Sequence, residues 1–245
     1  MTIQDPADTS MHASALNAEF SDLEEAARYA LLQRLAPSLE HHLMGKFQSM
    51  GMIAAMMERR FQAADPDLAS LREDCLSIGS VSRTAVDSMI NIMSWVEPKA
   101  DAIVKFSAGV SECLGLLSTK LRFKGFVIVN EVPQIDVELS SRALRSVLSS
   151  TLIALSDLSK FPATLVLRAR ALPDCIELSI DLHPIERGSK SAYMSDYRSL
   201  KWRDVEILAI AESVQLKLDD TGAKLIFSCA IATTGLRGNS VMTPG

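Results

Sequence analysis

Two adjacent histidines, His41 and His42, carry the side chains of this 245-residue chain best suited to chemistry. A neutral imidazole near pH 7 is a competent nucleophile toward phosphorus and a common metal ligand. Neighbouring residues of a helix do not share a face, so the two do not form a metal-binding pair. The four cysteines, Cys75, Cys113, Cys175 and Cys229, are far apart, with no Cys-x-x-Cys and no histidine at ligand spacing. That pattern argues against both a zinc site and a disulfide framework. Each cysteine lies in a mostly apolar stretch and reads as a reduced core thiol. At 3.6 residues per turn, His41 stands about 200° from both Leu39 and Leu43, so it faces solvent if those leucines face a core. His42 lies nearer the apolar seam and reads as a half-buried packing residue. Most histidines on helix surfaces are only solvated side chains, so the elements around His41 must carry the rest of the argument.

Those elements are two long helices. In the second, Leu68, Leu71, Cys75, Ile78, Ser82, Ala85, Met89, Ile92 and Val96 repeat at steps of three and four, an a/d seam that Pro98 ends. The first runs from about Phe20 to Ala64 with the stripe Leu32, Leu35, Leu39, Leu43, Phe47, Met50, Ala54, Met57 and Phe61. Pro37 interrupts it and predicts a kink or restart. Asp65-Pro66-Asp67 forms the turn, with Asp65 or Pro66 opening the second helix. Two helices of about 30 residues each are roughly 45 Å long, and a lone hairpin of that length cannot bury both its seams. A second copy completing a four-helix bundle is the simplest cover. Leu71→Asp and Met89→Asp are each expected to break that dimer, because a seam charge would be buried unpaired.

After Pro98 the pattern changes to short strands mixed with shorter helices. A helix comes first, then a strand over 126–132, then a helix over 140–159 with Ser140 or Ser141 as N-cap. Strands over 164–170 and 175–181 follow, then a polar loop from His183 to about Leu200 and a helix over 202–213. A hairpin of strands 215–218 and 224–231 turns at Asp219-Asp220-Thr221-Gly222. The reading is an α+β chain in four parts. These are a flexible arm over 1–18, a helical hairpin over 19–98, an α/β sandwich over 99–232 and a flexible tail over 233–245.

Composition narrows the function. With 48% hydrophobic and 22% charged residues the chain can fill a core. A net charge of -5 argues against a nucleic-acid binder, which needs a basic face. The start, MTIQDPADTS, is polar and acidic and reads as no signal peptide. No apolar run approaches the roughly 20 residues that span a bilayer. The expectation is a cytoplasmic protein without membrane contact.

The element order resembles the dimerisation and ATP-binding halves of bacterial histidine kinases. The residues that carry the resemblance are Leu39-Glu40-His41-His42-Leu43-Met44-Gly45-Lys46-Phe47. In that family a box reading His-Glu/Asp-x-x-x-x-Leu marks the phosphoacceptor, and aligning Phe47 with the box leucine puts His41 on it. The box departs from the family at His42, where an acid is usual, at Gly45 and at Lys46. The nucleotide site departs further. On Leu144–Asp157, Ser150 and Ala154 stand where the family has its two asparagines, and Ala154 cannot ligate Mg²⁺. Asp181-Leu182-His183-Pro184-Ile185-Glu186-Arg187-Gly188 replaces Asp-x-Gly-x-Gly, so the glycines that admit a nucleotide are gone. Asp181 itself reads as a solvent-facing strand end, and no second Gly-x-Gly follows in the loop over 190–200.

The resemblance therefore implies a degenerate ATPase-like domain with no cofactor and no metal, as in dimeric histidine phosphotransferases. These exchange a phosphoryl group with response-regulator receiver domains. A non-catalytic pseudokinase scaffold and a divergent active kinase are the alternative readings. The expected docking surface for the receiver lies on the outer faces of the hairpin. It comprises Gly45, Gln48 and Met52 on the first helix and Ser80, Arg83, Thr84 and Asp87 on the second. His41 stands level with about Asn91.

Overall fold

The computed structural model describes residues 6–185 and 197–229. The tail over 233–245, the middle of the polar loop with Gly188, and the last two residues of the expected final strand lie outside the described residues. The first helix, α1, runs from Pro6 to Phe61. The arm expected over 1–18 is thus helical from Pro6. Proline suits the first turn of a helix, where its missing N–H costs nothing, and the alanines that follow favour helix. Pro37 neither ends nor restarts α1. The Lys120 ammonium donates to the Arg34 carbonyl in the turn before Pro37 and supports the backbone there.

The second helix, α2, runs from Leu68 to Val96. Its N-cap is Asp67 rather than Asp65 or Pro66. The Asp67 carboxylate accepts from the Ala69 and Ser70 N–H groups at 3.0 and 3.3 Å. Helix starts favour a short acceptor one residue before the first turn. Across the turn, Arg60 pairs with the largely buried Asp74 at 2.7 Å. Inside the hairpin α2 presents Leu71, Ile78, Ala85 and Ile92 together with Asp74, Val81, Ser88 and Trp95. Leu68, Cys75, Ser82, Met89 and Val96, expected in the same seam, are exposed. The expected seam merged two faces, one turned to α1 and one turned away from it. Cys75 is accordingly no core thiol. Of the four cysteines only Cys113 is buried, and burial pushes its pKa up to about 12.

The rest of the described chain builds two layers. Strands β1 (Ile103–Lys105) and β3 (Glu138–Ser140) pair antiparallel at one end. Between them lie α3 (Phe106–Phe123) and β2 (Val127–Asn130), and after them α4 (Ser141–Leu158). Strands β4 (Ala163–Ala171) and β5 (Cys175–Pro184), helix α5 (Trp202–Ala211), and the hairpin β6 (Gln215–Asp219) and β7 (Gly222–Ser228) follow. The main sheet has the order β2-β4-β5-β7-β6, with β2 parallel to β4 and the other pairs antiparallel. Its inner face carries Leu165, Leu167, Ile176, Leu178, Ile180, Leu225 and Phe227 against the helices. The outer face carries ion pairs, among them Arg168–Asp181 and Arg170–Glu177. Gly222, at φ 156°, must be glycine, since a Cβ there would meet the Ile180 carbonyl oxygen at 1.9 Å.

The helical layer holds a fourth member that the sequence reading assigned to the hairpin. Ala27, Ala30, Leu31, Leu35 and Leu39 of α1 are buried in the same core as α3, α4 and α5. Each of the three leucines contributes about 1.5–3 kcal/mol by leaving water. Residues 20–39 therefore belong to the α/β core, and only the rest of α1 pairs with α2 as a projecting hairpin. The boundary between the two bodies falls inside α1.

Candidate functional site

His41 stands on α1 two residues after the core-buried Leu39, on the opposite side of the helix, and it is exposed. His42, expected to be half-buried, is exposed as well. It lines a cavity with Leu39, Ser88, Asn91, Ile92 and Trp95, which places this turn of α1 level with 88–92 of α2. The α/β layer reaches the same turn. Pro37, Ser38, His41 and His42 face Gly115, Leu116, Thr119, Lys120 and Phe123 of α3 across a cleft of about 240 Å³.

The other named surface residues are all exposed: Gly45, Gln48 and Met52 on α1, and Ser80, Arg83, Thr84 and Asp87 on α2. Met52 has 64% of its surface open. At Gly45 an added Cβ would meet nothing within 4 Å. The Thr84 hydroxyl donates to the Ser80 carbonyl of its own helix at 3.1 Å.

A second apolar face runs along the hairpin. Met44, Phe47 and Phe61 of α1 and Val86, Met89, Ile90 and Met93 of α2 are exposed. On each helix this stripe lies roughly a quarter to a third of a turn round from the hairpin contact. The rotation has the same sense on both helices, and in an antiparallel pair that brings the two stripes to one flank. His41 stands at the edge of that flank, about 60° round α1 from Met44 and about 120° from Phe47.

The site's support is a buried ionic cluster that the sequence reading missed. Asp157, at the end of α4, accepts from Arg34 of α1 at 2.6 and 2.9 Å. It also accepts from Lys124 at 2.7 Å and from the Leu200 N–H at 3.0 Å. Burial pushes the Asp157 carboxyl up, but the Arg34 guanidinium and Lys124 ammonium outweigh it and hold the pKa below the ordinary carboxylate range. Lys120 is pushed the other way. Burial first, then the Arg34 and Lys124 charges, lower its pKa to about 8. Further along α1, Arg28 pairs with Glu24 at 2.8 Å and with Glu212 at 2.5 Å, and Arg142 joins Glu212 at 2.9 Å. At the far end Arg145 lies 5.0 Å from the Trp95 ring centre and pairs with Glu112 at 2.7 Å, tying α2 to α3 and α4. One signal for the cluster was available. From Ser146 to Ser156 helix α4 is apolar or small on every side, as a fully buried helix must be, so a carboxylate closing it needs a cation.

Helix α4 is enclosed. Ser149, Ser150, Thr151, Ala154 and Ser156 are fully buried. The Ser150 and Thr151 hydroxyls donate to the Val147 carbonyl at 3.1 and 2.7 Å, so their polar atoms are satisfied within the helix. Helices α1, α3 and α5 cover it. Asp181, at the middle of β5, is part-exposed and pairs with Arg168 at 2.5 Å. Among the described residues no group of three or more His, Cys, Asp or Glu side chains could hold a metal ion. No described helix is long and apolar enough to cross a membrane.

Solved structures that resemble this chain include histidine kinases. One is the Acinetobacter baumannii histidine kinase AdeS, with 14% identity and a TM-score of 0.42, covering 74% of this chain and 97% of that one. A histidine kinase from Burkholderia phymatum shares 12% identity with a TM-score of 0.39, covering 80% of this chain and 97% of that one. A mycobacterial sensor histidine kinase, MprB, shares 16% identity with a TM-score of 0.38 over 52% of this chain and 97% of that one. No protein-family model matches the chain, and no curated protein matches it in sequence.

Proposed function

We propose that the chain is a cytoplasmic, dimeric histidine phosphotransfer protein that exchanges a phosphoryl group between His41 and the aspartate of response-regulator receiver domains, without ATP. The observation that carries the reading is the double use of α1. Its first half lies in the layer that buries α4, the helix that would have to meet a nucleotide. Its next turn presents His41 to solvent. A donor must then come from outside the molecule, and an exposed imidazole suits a partner protein that brings its own acyl phosphate. In the transfer, an imidazole nitrogen attacks phosphorus and the acyl P–O bond breaks. The receiver's carboxylate is restored, and the imidazole gives up its proton to solvent.

The one-sided apolar flank of Met44, Phe47, Phe61, Val86, Met89, Ile90 and Met93 supports a second copy as the other half of a bundle. It leaves the Gly45, Gln48, Met52, Ser80, Arg83, Thr84 and Asp87 surface free for the receiver, with His41 at the edge between the two. The test is incubation with a phosphorylated receiver domain and detection of acid-labile phosphate on the protein. Transfer to the wild type and none to His41→Ala is the expected result. Receiver binding with no transfer to either would instead make the protein a scaffold. A low-micromolar dissociation constant for Mg-ATP in calorimetry would overturn the ATP-independent reading in favour of a kinase.

A further inference from the structure

The cleft between α1 and α3 is built around an excess of positive charge. Arg34, Lys120 and Lys124 are buried together, and Asp157 is the carboxylate among them. The next acid along α3, Glu112, is occupied by Arg145 and by the Trp95 indole N–H at 3.0 Å. Of the three N–H bonds of Lys120, one goes to the Arg34 carbonyl, and no other protein acceptor for it is found among the described residues. A buried ammonium in that position is costly until an anion joins it. The cleft it lines also holds the hydroxyl side chains of Ser38 and Thr119 and both imidazoles. At about 240 Å³ it lies below the roughly 300 Å³ at which pockets for drug-sized ligands begin. That size and that donor set fit a small tetrahedral oxyanion.

The geometry points to a phosphoryl-binding cleft in which Lys120, assisted by Thr119 and Ser38, faces a phosphoryl dianion, either the one carried on His41 or free phosphate. For the group on His41 the proposal rests on the reading of that residue as acceptor; for free phosphate it does not. Lys120 acts here as a positioning residue that shields the P–N bond electrostatically. The lowered pKa of Lys120, about 8, agrees with a cation still lacking its counter-ion.

The test uses the full chain and two probes, inorganic phosphate and phosphoramidate. With phosphoramidate an imidazole nitrogen attacks phosphorus, the donor's P–N bond breaks, and ammonia leaves with the imidazole proton. Phosphohistidine is then lost when water attacks phosphorus and the imidazole is released. Two variants report on the cleft. Lys120→Met removes the cation. Gly115→Asp adds a carboxylate where a Cβ meets nothing within 4 Å, on a helix that gains propensity from the change, so it keeps Lys120 and its bond to α1.

The expected results are saturable phosphate-induced shifts of the His41 and His42 imidazole resonances, absent in Gly115→Asp, and a phosphohistidine half-life shortened roughly tenfold in both variants. Unchanged half-lives together with no saturable phosphate shift in the wild type would overturn the proposal. Saturable shifts lost in Gly115→Asp, with no phosphohistidine formed at His41 from any donor, would uphold the cleft as a phosphate site while ending the acceptor reading.

Discussion

Asp157→Asn tests the weld between α1 and the α/β core. The substitution is close to isosteric, so it removes charge with little change of volume. It leaves Arg34, Lys120 and Lys124 buried with no carboxylate among them. Breaking a buried pair by removing one partner costs about 3–5 kcal/mol, because the orphaned charge keeps its desolvation penalty. For a chain of this size each kcal/mol shifts Tm by about 2–4 °C, so a loss of roughly 6–20 °C is expected. Calorimetry or urea denaturation reads it directly. The pH dependence has a fixed sign. The Asp157 pKa is depressed in the folded protein, so its contribution is present above the ordinary carboxylate range and disappears as pH falls through the folded pKa. The Asn variant should lack that part of the acid limb. Replacing both partners, Arg34→Met with Asp157→Leu, should be milder than Asp157→Asn alone, since an apolar pair carries no desolvation penalty. A loss under about 1 kcal/mol for Asp157→Asn, the scale of an exposed pair, would refute the claim that the cluster locks α1 in place.

Lys120 gives a pH signature of the same sign in an alkaline window: its folded pKa of about 8 lies below its ordinary 10.5, so stability should rise between those two pH values, by on the order of 3 kcal/mol, and Lys120→Met should abolish the rise in denaturation measured across that range. Met89→Asp places a charge on the exposed flank and should yield a folded monomer in sedimentation at micromolar concentration, whereas Leu71→Asp, inside the hairpin, should lower helix content and stability first. Met52→Glu or Arg83→Glu should weaken receiver binding by about 1–3 kcal/mol with the dimer intact, and wild-type transfer rates under subsaturating receiver would show the docking surface to be elsewhere.

The sequence was most legible where one periodicity served one contact. Helix α4 falls within a residue of its expected bounds with Ser140 as cap, because a serine before an apolar run is a local signal. Strand β5 declares itself by alternation. Helix α2 was harder because it has two apolar faces. Its stripe through Leu68, Cys75, Ser82, Met89 and Val96 was read as one seam with Leu71, Ile78, Ala85 and Ile92, although only the latter pack against α1. The placement of residues 20–39 was not legible at all. Leu32, Leu35 and Leu39 continue the hairpin's apolar stripe, and periodicity reports that a face is buried without reporting against what. Likewise His41 was readable as outward-facing from its angle to Leu39 and Leu43. Its nearness to Lys120 depends on how α3 packs across Pro37 and Ser38, a contact between segments about 80 residues apart.

Sharing α1 between two bodies also sets an order of assembly. The contacts of its first half lie far along the chain: Arg34 reaches Asp157 across 123 positions and Arg28 reaches Glu212 across 184. The contacts of its second half are made with α2, immediately beyond the turn at Asp65-Pro66-Asp67. As the chain leaves the ribosome, the hairpin can close as soon as α2 emerges, while Leu31 and Leu35 wait for nearly the whole remaining sequence. Contacts of such high order form slowly, and apolar surface left uncovered meanwhile invites aggregation. A fragment ending at Pro98 would keep that surface uncovered permanently, and a fragment starting at Lys99 would lack one of the four helices of its core. Neither piece is expected to fold alone, although the sequence divides there.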